Sequence, residues 1–198
     1  MKLFVELISK GPPRQLQVLG ETKIILVFSD GACEGEEFES VSIGAVMFDT
    51  ADNTREMWGS MVCSEVVDHW RSDKEGKIQT IGQAELCPAV VARYSWQKRM
   101  RHRRVLFFLD NDGARQGLIK GRSDSATSNT MIKTMVTMER KFQSWTFYAR
   151  VPTHSNPGDG PSRLRLTPHP ENLLAKQIEP PSPEILSSIG ICGKVPEL

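Results

Sequence analysis

Four acidic residues stand where predicted secondary-structure elements begin or end. Asp30 follows the apolar run KIILVFSD, and Asp110 follows a second such run, RRVLFFLD. Glu85 falls near the start of a helical pattern, and Asp159 lies in the turn-like sequence NPGDGPSRL. Carboxylate oxygens are the ligands that Mg²⁺ prefers, and no cysteines or histidines with zinc-ligand spacing accompany them. We therefore expect the four residues to hold two Mg²⁺ (or Mn²⁺) ions, an arrangement suited to phosphodiester chemistry.

The elements that must bring these residues together follow from hydrophobic periodicity. KIILVFSD, SIGAVMFDT and REMWGSMVC predict three strands in an antiparallel meander, and RRVLFFLD and WTFYARV predict two more. A helix is predicted from Gln83 to about Met100, with Pro88 in its first turn, and another over the stripe formed by Met131, Met135 and Met138. The pattern predicts an α/β fold with a five-stranded mixed sheet and helices on both faces.

The remaining segments are shorter or less regular. GARQGLIKG predicts a helix that closes on Gly121, with Asp112 as its N-cap, and a short helix is expected at Asp159. The polar residues 64–82 offer only one short candidate strand, KIQTI. We predict a connector over residues 1–22, in which Leu3, Phe4, Leu7 and Ile8 suit an amphipathic helix, a domain over 23–164 and a proline-rich tail over 165–198.

Composition excludes several classes of protein. The 198 residues are 39% hydrophobic and 25% charged, with a formal net charge of +1, which is ordinary for a globular domain. No run of about 18 apolar residues predicts a membrane span. Four scattered cysteines form no C-x-x-C pair, so we expect reduced thiols and an intracellular protein, cytoplasmic or nuclear.

The motifs SDGAC, QAEL, LDN-x-x-A and NPGDGPSR, in this order, resemble the ribonuclease H superfamily. They are most similar to ribonuclease H domains attached to reverse transcriptases of retroelements, in particular the DIRS-like group. The resemblance implies an Asp-Glu-Asp-Asp metal site at Asp30, Glu85, Asp110 and Asp159. It also implies an RNA–DNA hybrid as substrate, and a reverse transcriptase domain of the same polyprotein as a partner.

The sequence departs from that pattern in two places. The loop THSNPGD before Asp159 is short, and its single histidine, His154, is the one candidate for a proton shuttle. The basic protrusion that many members carry has no counterpart after Gly121. The basic run RYSWQKRMRHRR predicts nucleic-acid contacts or, equally, a solvated helix end. The candidates for binding nucleic acid are Arg99, Arg101, Arg103 and Arg104 of this run, together with Asn111, which directly follows Asp110.

Two other functions remain open at this point. A catalytically inactive scaffold or nucleic-acid-binding module would keep the fold without cleaving, and the proline-rich tail mildly favours it. A related DNA exonuclease would carry Asp-x-Glu on its first strand, whereas this chain has Ala32 two residues after Asp30. Metal-dependent cleavage of a hybrid separates the endonuclease from the scaffold.

Overall fold

The computed structural model describes residues 23–35, 40–72 and 80–181. The predicted connector and the last part of the predicted tail lie outside these ranges. The described elements are β1 (Ile25–Glu34), β2 (Ser40–Asp49), β3 (Thr54–Met61), α1 (Ser64–Ser72), α2 (Ile81–Ser95), α3 (Gln97–Met100), β4 (Arg104–Leu109), α4 (Asp112–Lys120), α5 (Ala126–Phe142), β5 (Trp145–Arg150), α6 (Asp159–Ser162) and β6 (Lys176–Gln177).

Within the described ranges, the sheet has six strands in the order β5-β4-β1-β2-β3-β6. The first three strands form the predicted antiparallel meander, and β4, β5 and β6 each join in parallel. The α/β fold with a mixed sheet is thus confirmed, but the count of five strands is wrong. The sixth pairs only Lys176 and Gln177 with β3. Two residues are too short a run to show any hydrophobic period.

The two faces of the sheet are covered differently. Alternate residues of β1 and β4, such as Ile25, Val27 and Phe107, are buried in the main core with α2 and α5. Met131 and Met135 of the predicted methionine stripe lie in this core, and Met138 is buried as well. On the opposite face, Val46 and Met57 pack under the segment that runs from α6 to β6. Part of the predicted tail therefore packs on the sheet, while the exact domain limits stay a prediction.

The described part of the segment between β3 and α2 contains a helix, α1, where the sequence showed little pattern. Helix α1 buries Val66, Val67 and Trp70, which lie on one side of it. The KIQTI strand is wrong in its last residues, because Thr80 is the N-cap of α2 and Ile81 is its first residue. Residues 77–79 lie outside the described ranges.

The prediction that Pro88 lies in the first turn of its helix is wrong, because Pro88 is the eighth residue of α2. It has no N–H, so the carbonyl of Ala84 lacks the donor that would otherwise lie four residues on. Strand β1 approaches the helix at this carbonyl: a Cβ added to Gly31 would lie 2.2 Å from the Ala84 oxygen. Glu85 follows Ala84 directly, so this contact fixes where Glu85 lies along the length of β1.

The cap of α4 is Asn111, and the prediction of Asp112 is wrong by one residue. The Asn111 side chain accepts a hydrogen bond from the backbone N–H of Ala114 at 2.9 Å. Asp112 is the first helical residue and instead pairs with Arg115 at 2.9 Å. Gly121 ends the helix in the left-handed region at φ 68°, as predicted.

Among the described residues, no helix is long and apolar enough to span a bilayer.

Candidate metal centre

Three of the four predicted carboxylates meet at one point. Asp30 lies on β1, Glu85 on α2, and Asp110 directly after β4. Each offers an oxygen atom, and these three atoms lie within 4.8 Å of one another. Asp30 and Glu85 are buried, at 5% and 7% exposure. Three elements far apart in sequence thus deliver acidic groups to one buried position.

The parallel pairing of β1 and β4 explains why Asp30 and Asp110 are neighbours. The paired residues run from Ile25 with Val105 to Phe28 with Phe108. Each aspartate follows two residues beyond the last pair. The prediction that Asp30 ends its strand is wrong, because β1 continues to Glu34 by pairing with β2 alone. Beyond the end of β4, the edge of β1 is therefore no longer paired with β4. Asp30 lies in this part of β1, where it can meet Glu85 of α2.

The surroundings of Asp30 and Glu85 raise the pKa of both carboxyl groups and so disfavour their charged forms. Burial, together with the charges of Asp110 and Asp159, raises the pKa of Asp30 to about 6, against the lowering effect of a hydrogen bond from Ser162. Burial, followed by the charges of Asp110 and Asp30, raises the pKa of Glu85 to about 9. In both groups, removal from water is the largest cause, and mutual repulsion adds to it.

Two oxygen atoms of the cluster, Oε2 of Glu85 and Oδ1 of Asp110, are buried without a hydrogen-bond partner among the described residues. Such atoms are costly to bury unless they are compensated. A divalent cation between the carboxylates would both neutralise their repulsion and occupy these atoms. The donors are all oxygen atoms, which suits Mg²⁺ or Mn²⁺ better than zinc. The residues present therefore fit a divalent cation.

We expect the metal-free protein to lose stability as the pH rises from about 5 to 9. The folded-state pKa values of Asp30 and Glu85 lie above the ordinary values of these side chains, 3.8 and 4.5. Their contribution is therefore fully present at low pH and lost as the pH passes through about 6 and about 9. Urea unfolding in chelator should show this loss, and added Mg²⁺ should offset it most at high pH, where the ligands are deprotonated. A chelated protein equally stable at pH 5 and 9 would contradict the expectation.

Asp159 lies beside the cluster but is not one of the three converging groups. It is the first residue of α6, as the sequence predicted for a short helix, and it is close enough to raise the pKa of Asp30. Its two oxygens pair with Arg163 at 3.0 Å and Arg165 at 2.8 Å. In this arrangement Asp159 holds two partly exposed arginines next to the metal centre. Its predicted role as a fourth ligand stays a prediction.

Ser162 is a residue of the site that the sequence reasoning did not single out. It is fully buried, its Oγ lies 2.5 Å from Oδ2 of Asp30, and its carbonyl accepts a hydrogen bond from Ser42 at 2.6 Å. Helix α6 comes this close because β2 carries a glycine there: a Cβ on Gly44 would lie 2.2 Å from the Ser162 nitrogen. The only signal in the sequence was the serine of the NPGDGPSR motif.

We expect Ser162→Ala to weaken Mn²⁺ binding, because Asp30 loses the hydrogen bond that orients it and lowers its pKa. The expected loss of affinity is about tenfold or more, measured by titration calorimetry. Ser42→Ala is the matched control. It removes the other hydrogen bond of Ser162, so it should cost about 1 kcal/mol of stability and leave metal affinity unchanged. Equal metal affinity in both variants would show that Ser162 only packs.

The structure does not bring the arginines predicted to bind nucleic acid to the metal centre. Arg99 and Arg103 form ion pairs with Asp49 at 3.3 and 2.6 Å, and Asp49 ends β2 at the opposite end of β1 from Asp30. Arg104 begins β4, so the length of that strand, about 20 Å, separates it from Asp110. Arg101 belongs to the same turn. Their predicted role stays untested, and the ion pairs give Arg99 and Arg103 a structural role.

The two remaining candidates each lie near one of the predicted carboxylates, Asn111 next to Asp110 and His154 in a cavity with Asp159. Asn111 directly follows Asp110 and uses its Oδ1 as the cap of α4. His154 is exposed, in the turn Thr153–Ser155 that precedes α6, and lines a cavity of about 1070 Å³ that Asp159 and Arg165 also line. The role of proton shuttle stays a prediction.

Comparison with known proteins establishes the fold. No family model and no curated protein sequence matches this chain. Among solved structures, it is similar to ribonuclease H1 from the archaeon Halobacterium salinarum, with 15% identity, a TM-score of 0.54, and coverage of 72% of this chain and 97% of that one. It is also similar to LC11-RNase H1, isolated from compost, with 13% identity, a TM-score of 0.53, and coverage of 68% and 88%. The chain has a ribonuclease H-like fold.

Proposed function

We propose that this protein is a metal-dependent endonuclease that hydrolyses the RNA strand of RNA–DNA hybrids. The observation that carries the proposal is the convergence of Asp30, Glu85 and Asp110 within 4.8 Å in a ribonuclease H-like fold. Two of their buried oxygens have no hydrogen-bond partner in the described part of the chain. Buried carboxylates that repel one another destabilise a protein unless a cation compensates them. Such a cluster is therefore hard to explain by a structural role.

Each residue of the site has a part in this function. Asp30, Glu85 and Asp110 would hold the ions, and Ser162 orients Asp30. Two bound divalent cations supply an activated water and stabilise the departing oxygen of the phosphodiester. Arg163 and Arg165 place cationic groups beside the carboxylates, with side chains 49% and 63% exposed, where the phosphates of a bound strand would pass.

The choice of substrate and the biological setting rest on the motif resemblance. Selection of RNA requires contact with the 2′-hydroxyl, which is what distinguishes RNA from DNA at a given position. The NPGDGPSR motif supports an origin in a retroelement reverse transcriptase, of the DIRS-like group in particular. The partner would then be the reverse transcriptase domain of the same polyprotein.

The test is cleavage of labelled duplexes in Mg²⁺ and, separately, in Mn²⁺. We expect cuts within the RNA strand of a hybrid, none in double-stranded RNA or DNA of the same sequence, and no cleavage in excess chelator. Asp110→Asn is the control for contaminating nuclease. Cleavage that survives exhaustive chelation would refute the metal mechanism. Hybrid binding without cleavage by the folded, metal-loaded protein would refute the nuclease and favour the scaffold.

A further inference from the structure

One half of the sheet face that carries α6 is apolar and only partly covered by the described residues. The strand register aligns Leu26, Leu106 and Phe147 across β1, β4 and β5. Next to this row, the rings of Phe28 and Phe108 stack with centroids 4.7 Å apart. Leu26, Leu106 and Phe108 are partly buried, and Phe147 is 57% exposed. We call this surface of Leu26, Leu106, Phe108 and Phe147 the open half-face.

The other half of the same face is closed by the chain itself. Val46, Met57 and Ala175 are fully buried there, with Leu166 and Leu173 packed against them. The sheet thus has a completed apolar layer over β2, β3 and β6 and an exposed one over β4 and β5. An aromatic side chain as exposed as Phe147, beside a row of other apolar groups, marks a surface that an apolar partner covers.

We propose that the open half-face is covered by the amino-terminal segment of this chain, through Leu3, Phe4, Leu7 and Ile8. At helical spacing these four side chains share one side of the segment, whereas Lys2 and Glu6 fall on the other. A helix over residues 1–9 would be about 13 Å long. The open half-face spans two strand spacings, about 10 Å, so one such helix matches its width.

The path of the chain favours this segment. Arg103, directly before β4, donates two hydrogen bonds to the carbonyl of Lys23, at 3.2 and 2.9 Å. The chain therefore arrives beside the beginning of β4, three residues before Leu26. Residues 9–22 can span up to about 46 Å, far more than the distance across three strands.

The carboxyl-terminal tail is less well placed to cover the surface. Strand β6 lies at the opposite edge of the sheet from β5. After it, Ile178 packs against the main core on the helix side. At Ile178 the chain thus lies on the other face of the sheet, at least four strand spacings from Phe147.

A thermal-unfolding cycle on the full chain tests the proposal. Phe147→Thr removes the ring but keeps a residue suited to strands. We expect it to lower Tm by about 3 °C or more. Leu3→Ser/Leu7→Ser should do the same, and the combined variant should fall no further than the larger single effect. Met61→Thr is the matched control at a strand position 50% exposed. It should change Tm little and should add to Leu3→Ser/Leu7→Ser.

Hydrogen exchange supplies a second measurement. Amides of residues 2–10 should be protected in the natural chain, lose protection in Phe147→Thr and keep it in Met61→Thr. Three results would overturn the proposal. The first is exchange of these amides at the rate of an unstructured peptide. The second is that the Tm changes of Phe147→Thr and Leu3→Ser/Leu7→Ser add, whereas those of Phe147→Thr and Ile185→Ser/Leu186→Ser in the tail do not. The third is a dimer in light scattering that Phe147→Thr converts to a monomer.

Discussion

Asp110→Asn is expected to abolish cleavage while leaving the metal-free protein at least as stable as the natural one. The carboxylate is one of three converging oxygen donors, so its loss should reduce the rate by at least about 10²-fold, the effect of removing one electrostatic contributor in other sites. At the same time, its charge raises the pKa of both Asp30 and Glu85. Removing that charge relieves repulsion in the folded state. Melting temperature in chelator and hybrid cleavage in Mg²⁺ measure the two effects.

Asp112→Asn is the matched control, two residues away. Asp112 is exposed and pairs with Arg115 at 2.9 Å and with Arg150 at 3.7 Å. Pairs of this kind contribute about 0–1 kcal/mol, so the variant should lose little stability and cut hybrids at close to the natural rate. The assignment of the third carboxylate would be wrong if Asp112→Asn were inactive and Asp110→Asn still cut.

Gly31→Ala is expected to destabilise the protein and to reduce cleavage together. The new Cβ would lie 2.2 Å from the Ala84 oxygen and 3.2 Å from the Glu85 nitrogen, which are backbone atoms that cannot rotate away. Either β1 or the first part of α2 must shift, at a cost of about 1–3 kcal/mol or more. Because the same shift moves Glu85 relative to Asp30, a displacement of about 1 Å should also lower the cleavage rate by about 10²-fold.

Gly82→Ala provides the contrast within the same helix. A Cβ at this position meets nothing within 4 Å. Alanine in place of glycine should stabilise α2 by about 0.5–1 kcal/mol, because the unfolded chain loses freedom and helix propensity rises. Urea unfolding and cleavage of both variants check the pair. If Gly31→Ala were as well tolerated as Gly82→Ala, the close contact between β1 and α2 would not be what positions Glu85.

The sequence by itself determined most of the elements and three members of the site. Long apolar runs such as KIILVFSD and RRVLFFLD identify central strands, because such strands direct apolar side chains toward both faces of the sheet. The methionine stripe from Met131 to Met138 shows the 3.6-residue period, and α5 is found there. The order of elements then places Asp30 and Asp110 at neighbouring strands.

Tertiary structure decided the features that have no period or depend on a distant partner. Strand β6 is two residues long and exists only because β3 offers an unpaired edge. Asp30 lies within its strand because β2 extends the pairing of β1 beyond the end of β4. Asparagine and aspartate are nearly equal as N-caps, so sequence cannot choose between Asn111 and Asp112. The backbone settled it by placing the Asn111 oxygen 2.9 Å from the Ala114 N–H.

The same distinction applies to the charged groups around the site. A charge in sequence does not reveal its partner, and Arg99 and Arg103 turned out to pair with Asp49, about 50 residues earlier. Ser162 and Gly31 are unremarkable residues whose importance arises only from contact with Asp30 and Ala84. Local sequence carries the period and the turn chemistry of each element. Which side chains meet depends on long-range packing, because atoms must fill the interior at close to crystal density.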